Sequence, residues 1–149
     1  MPKDHTTQWH HNRAFISAID PDFPDWAVTA TFYAAVHAVD ALLEHDKISG
    51  VVSHEARNEA LARISRYKKI WSVYHPLYGL ARTVRYFADP LQWVPWGKIE
   101  AEIFPRYLYP LEQSVLKLMG RQNALPPVTL KPPHGRTNAT TPNPQPFPT

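Results

Sequence analysis

The stretch DWAVTATFYAAVHAVDALLE, Asp25–Glu44, is apolar around most of its circumference and predicts the central helix of a small all-α protein. Successive helical residues turn by about 100°, so its largest apolar side chains share one core face: Phe32, Val36, Val39, Leu42 and Leu43. The alanines on its flank leave room for a neighbouring helix to approach closely. A helix that is apolar on nearly all sides needs other helices around it, which favours a small antiparallel bundle.

The segments on either side supply those helices. The first is predicted from about Thr6 or Thr7 to Ile19 with a threonine hydroxyl as cap, and the prolines between Asp20 and Asp25 end it. Asp25 is expected to cap the central helix, and Ser53 to cap a third helix that reaches Arg66 or beyond. Pro76 either kinks that helix or opens a fourth one that ends near Phe87. A tryptophan-rich loop, 88–97, precedes a last helix over 98–119, which Pro105 and Pro110 disturb and Gly120 ends. No run alternates apolar and polar residues as a strand would, so we predict four to five helices and no sheet.

The chain has 149 residues, which is the size of one domain, and its prolines divide it in two. Eight of the 16 prolines follow Gly120, so we predict a bundle over 1–120 and a disordered proline-rich tail over 121–149. The LPPVTLKPP part of this tail is either a loose segment or a ligand for an aromatic groove on a protein partner.

Composition excludes several classes of protein. There is no cysteine, hence no disulfide framework and no thiolate metal site or nucleophile. The first residues lack the apolar core of a signal peptide, and no uninterrupted apolar run is long enough for a bilayer, so a cytoplasmic protein is expected. A Gly-rich phosphate loop, a Gly-x-Ser-x-Gly elbow and a His-Glu-x-x-His zinc motif are all absent. We predict no cofactor. The net charge of +3 permits anionic partners.

One narrow polar strip interrupts the apolar surface of the central helix. It carries four residues at helical spacing: Tyr33, His37, Asp40 and Glu44. Either these are packing residues whose polar ends reach water, or the strip faces a groove in which Asp40 orients His37 for proton transfer. The strip offers one imidazole, so its metal-binding signal is weak. The N-terminal His5, His10 and His11 offer an adventitious metal site, but they lie at an end expected to fray.

A second candidate surface interleaves aromatic and basic residues. His54 and Arg57 lie one turn apart, and a later helix places four such residues on one face: Tyr74, Tyr78, Arg82 and Arg85. Arginines beside tyrosines suit phosphates and stacked bases. The alternative is that the tyrosines pack and the arginines form ion pairs with Asp40 or Glu44.

Three motifs resemble the HEPN superfamily of small helical proteins. They are TFYAAVHAVDAL at 31–42, the His54-x-x-Arg57 pair and YGLARTVRY at 78–86, within a resemblance that covers about residues 6–120. The resemblance implies a helical bundle, a homodimer, and a role in bacterial defence or a toxin–antitoxin locus, in which many members are metal-independent ribonucleases. Those ribonucleases carry an arginine followed four to six residues later by a histidine, and no arginine of this chain has a histidine at that spacing.

The preferred prediction is therefore an HEPN-like protein that binds RNA or a nucleotide through Tyr33, Tyr78, Arg82 and Arg85, supported by Asp40, Glu44 and Tyr86. One alternative is a ribonuclease whose unusual site would use His37, His54, Arg57 and Arg82. Another is a non-catalytic interaction module that uses Trp93, Trp96 and the proline-rich tail. A single site would require Tyr33, His37, His54 and Arg82 to line one cavity.

Overall fold

A computed structural model describes residues 4–86 and 94–134 of the chain. This part is all helical and has no strand, as the sequence predicts. Four helices come first: α1, His5–Ala18; α2, Pro24–His45; α3, His54–Arg63; and α4, Lys68–Tyr86. A fifth, α5, comprises three consecutive stretches, Trp96–Lys98, the π-helical Ile99–Leu108, and Tyr109–Leu118. A single 3₁₀ turn, Ser65–Tyr67, joins α3 to α4.

The centre of the bundle is α2, which packs against α1, α4 and α5. Its predicted core face is confirmed, since all five residues of that face are buried. By length and composition α2 is apolar enough to cross a membrane, but 89% of its most apolar window is buried inside the bundle. The surrounding helices thus take up the apolar surface that the sequence presents.

Two of the three predicted helix caps are wrong. Asp4 caps α1, because its carboxylate accepts hydrogen bonds from the backbone N–H and the hydroxyl of Thr7. At α2 the cap position is Phe23 and Pro24 is the first helical residue, so Asp25 lies in the first turn, where its charge suits the helix dipole. Ser53 caps α3 as predicted, with its hydroxyl accepting from the N–H of Ala56.

The helices around Pro76 also differ from the prediction. The third helix ends at Arg63, before the predicted Arg66, and α4 begins at Lys68 and runs through Pro76. Pro76 therefore does not open a helix. Its own N–H is missing, but packing of the buried side of α4 on the core outweighs the loss of one hydrogen bond.

The last helix confirms the expected disturbance by prolines. Pro105 lies within the π-helical stretch of α5, so its missing N–H and its ring coincide with a departure from regular α-helical geometry. Gly120 ends the helix with a φ of 76°, and the N–H groups of Gly120 and Arg121 donate back to the carbonyls of Lys117 and Leu116. This is the predicted glycine C-cap.

The segment 121–134 forms no helix, yet part of it joins the core. Val128 and Leu130 are buried, and the N–H of Val128 donates to the Tyr109 hydroxyl at 2.9 Å. Arg13 donates to the carbonyl of Pro126. The prediction that the disordered tail begins at residue 121 is therefore wrong for the part that carries Val128 and Leu130, while residues 135–149 lie outside the described residues.

Candidate functional site

The polar strip of α2 is mostly covered by other helices. His37 and Asp40 are 8% and 9% exposed, Tyr33 is half-buried, and Glu44 is exposed at the end of the strip. Burial of a carboxylate requires a charged partner or several hydrogen-bond donors. The partner of Asp40 therefore decides what the strip can do.

That partner is Arg57 on α3. Its guanidinium donates from Nε to Oδ1 of Asp40 at 2.7 Å and from Nη2 to Oδ2 at 2.8 Å, and both side chains are buried. Burial lowers the pKa of Arg57, but the hydrogen bonds and charge of Asp40 outweigh this and raise it. Arg57 is thus a fixed cation that holds Asp40. The alternative in which Arg82 or Arg85 pairs with Asp40 or Glu44 is wrong, because neither arginine has an ion pair among the described residues.

The imidazole of His54, the first residue of α3, contacts the guanidinium of this pair. Its Nδ1 is 3.1 Å from Nη1 of Arg57, and its ring is surrounded by those of Phe32, Tyr33 and Tyr78 at 5.7–6.2 Å between centroids. Burial, and then the charges of Arg57 and Arg85, lower the pKa of His54 below its ordinary value. Because a guanidinium can only donate, Nδ1 must accept, and the neutral ring carries its proton on Nε2. His54 is therefore a hydrogen-bond donor toward any ligand.

Two exposed arginines on α4 lie close to His54. The guanidinium of Arg82 lies 5.8 Å from the centroid of the Tyr78 ring, and that of Arg85 lies 5.5 Å from the Tyr86 ring. Nη1 of Arg85 also donates to the hydroxyl of Tyr33 at 3.4 Å. We call this group the arginine–tyrosine surface; its members are Tyr33, His54, Tyr78, Arg82, Arg85 and Tyr86. It contains all four residues that the sequence assigns to nucleic-acid binding.

Tyr74 does not belong to that surface, contrary to its predicted position. It is fully buried and packs on Phe32, with 5.7 Å between ring centroids. Burial raises the pKa of Tyr74, and the nearby Arg57 charge opposes this rise. The face of α4 that meets α2 therefore includes Tyr74, whereas Tyr78, Arg82 and Arg85 of the same predicted face are partly or fully exposed.

His37 lies apart from the arginine–tyrosine surface. Its Nδ1 is 3.2 Å from Nδ1 of His5 at the start of α1. Tyr33 and His37 line one groove of about 300 Å³ with Phe15 and Trp26, and neither His54 nor Arg82 lines that groove. The expected single cavity is thus replaced by two places: His37 with His5 on one side, and His54 with the arginines on the other. Asp40 lies between them.

Sequence reasoning missed two pairings that shape this region, Arg57 with Asp40 and His5 with His37. The sequence did indicate the first pairing in general terms, since a carboxylate on a nearly apolar helix needs a cation as its partner when it is buried. For the second, the spacing of His5 and His37 carries no signal, because 32 residues separate them.

No protein-family model, curated protein or solved structure matches this chain. The HEPN resemblance thus stays a prediction from the sequence motifs alone.

Proposed function

We propose that this protein binds RNA with unpaired bases through the arginine–tyrosine surface. The observation that carries the proposal is the pair of exposed arginines, Arg82 and Arg85, which have no ion pair among the described residues and lie against tyrosine rings. Structural arginines normally pair with carboxylates, as Arg13 and Arg57 do here. Cations without a carboxylate partner are suited to bind phosphates, and the tyrosine rings beside them are suited to stack on bases.

Each member of the surface has a distinct role in this proposal. The arginines contact phosphates, and the exposed ring of Tyr86 offers a face for stacking. The Nε2–H of neutral His54 donates to a base edge, a 2′-hydroxyl or a phosphate. Arg57 and Asp40 lie behind His54 and hold its ring in place.

The ribonuclease alternative is less well supported. A general base must accept a proton, and in the neutral form of His54 only Nδ1 has a free lone pair, which faces the Arg57 guanidinium. His37 lies with His5 rather than beside Arg82. The arrangement therefore favours binding over cleavage.

The interaction-module alternative loses support at Trp96 and at the described part of the proline-rich tail. The indole of Trp96 donates to the carbonyl of Lys131 at 2.9 Å, and Val128 and Leu130 are buried against the bundle. The LPPVTLKPP segment is thus engaged by its own chain. Trp93 lies outside the described residues.

The test is binding of a fluorescent single-stranded RNA oligonucleotide, followed by anisotropy at several salt concentrations in EDTA. The variant R82A/R85A removes both cations from the surface, and R106A/R121A is a control that removes the same charge from exposed positions elsewhere. We expect the first variant to bind at least tenfold more weakly and to lose about 1.4 units of the log–log salt slope, since each phosphate contact on a single strand contributes about 0.7.

Duplex RNA of the same sequence should bind less tightly, because its bases are not available for stacking. Equal losses of RNA affinity in R82A/R85A and R106A/R121A would mean that net charge, and not the arginine–tyrosine surface, accounts for binding. No binding at low salt would refute the proposal, and fragments that persist in EDTA but vanish in His54→Ala would support the ribonuclease instead. The HEPN resemblance adds the proposals of a homodimer, testable by light scattering, and of a bacterial defence or toxin–antitoxin role.

A further inference from the structure

Two imidazoles and a carboxylate converge between α1 and α2. Nδ1 of His5 and Nδ1 of His37 are 3.2 Å apart, and their rings stack with centroids 5.5 Å apart. One ligand atom from each of His5, His37 and Asp40 lies within 4.8 Å of the other two. His37 and Asp40 are buried, and His5 is half-buried, so the group is shielded but reachable.

The distance between the two ring nitrogens fits shared coordination. Metal–nitrogen bonds of about 2.0–2.1 Å at tetrahedral angles place two nitrogen ligands about 3.3 Å apart. We propose that His5, His37 and Asp40 bind a divalent transition metal ion of the zinc, nickel and copper class. Asp40 is shared with the proposed RNA-binding region, where it holds Arg57 next to His54, but His5 and His37 lie outside the arginine–tyrosine surface, so substitutions of these two histidines test the metal site separately.

Asp40 can serve this site while it is held by Arg57. A carboxylate has about four lone-pair positions, and the two hydrogen bonds from Arg57 occupy two of them. Arg57 would then orient the metal-binding carboxylate, as partners behind metal ligands commonly do. Its positive charge also offsets that of Asp40, so the two imidazoles must supply most of the affinity.

The donor set predicts the choice of metal. Neutral imidazoles favour Cu²⁺, Ni²⁺ and Zn²⁺, whereas Mg²⁺ and Ca²⁺ require more oxygen ligands than one carboxylate supplies. His5 and Glu44 line one small cavity, and His37 lines a separate groove. An ion held by the three side chains would take its fourth ligand from solvent in these spaces, and Glu44 adds negative charge beside His5.

The chain also offers internal controls. His11 is exposed on the same helix as His5. His134 lies with Asp20 and Asp22 in a second cluster of possible ligands, but that cluster is on the surface and has a single imidazole. An adventitious site at either place would respond to substitution of His11 or His134 and not of His5.

The experiment titrates the full chain with Zn²⁺ by calorimetry and with Co²⁺ by visible absorption, which reports tetrahedral coordination directly. We expect one ion per chain, tetrahedral Co²⁺ bands, at least tenfold weaker binding in His5→Ala, and unchanged binding in His11→Ala and His134→Ala. His5 is half-buried at the start of α1, so His5→Ala is expected to fold, which circular dichroism checks. His37→Gln should give the same loss.

Absence of Zn²⁺ and Co²⁺ binding by the wild-type chain would overturn the proposal. So would undiminished binding by folded His5→Ala, or a loss confined to His11→Ala or His134→Ala, which would identify an adventitious surface site.

Discussion

Replacing Arg57 with methionine tests the central feature of the candidate region, the buried pair of Arg57 and Asp40. Methionine keeps much of the aliphatic volume but removes both hydrogen bonds to Asp40, at 2.7 and 2.8 Å, and the one to His54, at 3.1 Å. The Asp40 side chain is only 10% exposed, so water is a poor substitute for the lost partner.

The expected cost follows from that burial. Breaking a buried ion pair by removing one partner destabilises a protein by about 3–5 kcal/mol, because a charge remains in a poorly solvated site. A domain of this size is stabilised by about 5–15 kcal/mol in total. Since about 1 kcal/mol shifts the melting temperature by about 2–4 °C for such a chain, R57M should melt roughly 6–20 °C lower.

The assay is urea unfolding, followed by circular dichroism, of the wild type, R57M, D40L and R57M/D40L. An apolar replacement of both partners leaves no buried charge, and such replacements are often neutral or stabilising. The double variant should therefore be more stable than R57M, with a coupling free energy of about 2 kcal/mol or more. A loss of unfolding free energy below about 1 kcal/mol in R57M would refute the view that Arg57 and Asp40 form a buried pair. Effects of the two single substitutions that simply add in the double variant would refute it as well.

Three further predictions concern other parts of the chain. Leu130→Ala should lower the free energy of unfolding by about 2–5 kcal/mol because Leu130 is buried, while the exposed neighbour Thr129→Ala should change it little; equal effects in urea unfolding would contradict the docked segment. Gly120→Ala should cost about 1 kcal/mol in the same assay, because φ is 76° there and a Cβ is strained in that conformation. Burial and two neighbouring arginines lower the pKa of His54 below 6.5 in the folded state. Below about pH 6.5 the unfolded chain therefore binds more protons at His54 than the folded chain does, and the free energy of unfolding decreases as the pH is lowered. The loss of stability between about pH 7.5 and 5.5 should be smaller in His54→Gln; identical slopes would show that His54 does not contribute to it.

Features that depend on neighbouring residues could be read directly from the sequence. The periodicity of Asp25–Glu44 predicts both the central helix and its core face, because about 3.6 residues per turn determines which side chains share a side. The cap at Ser53 and the glycine at Gly120 are also local, since each satisfies backbone groups within its own turn. Two caps were wrong for equally local reasons, namely Asp4 three residues before Thr7 and Pro24 at the first position of α2.

The tertiary structure alone decided which faces meet. Helical spacing places Tyr33, His37 and Asp40 on one strip, but it does not say that α3 brings Arg57 to Asp40 or that α1 brings His5 to His37. The same spacing groups Tyr74 with Tyr78, and only the packing of α4 on α2 buries the first. The periodicity of a helix determines the directions of its side chains relative to one another, whereas the direction of each face relative to other helices follows from how the whole bundle packs.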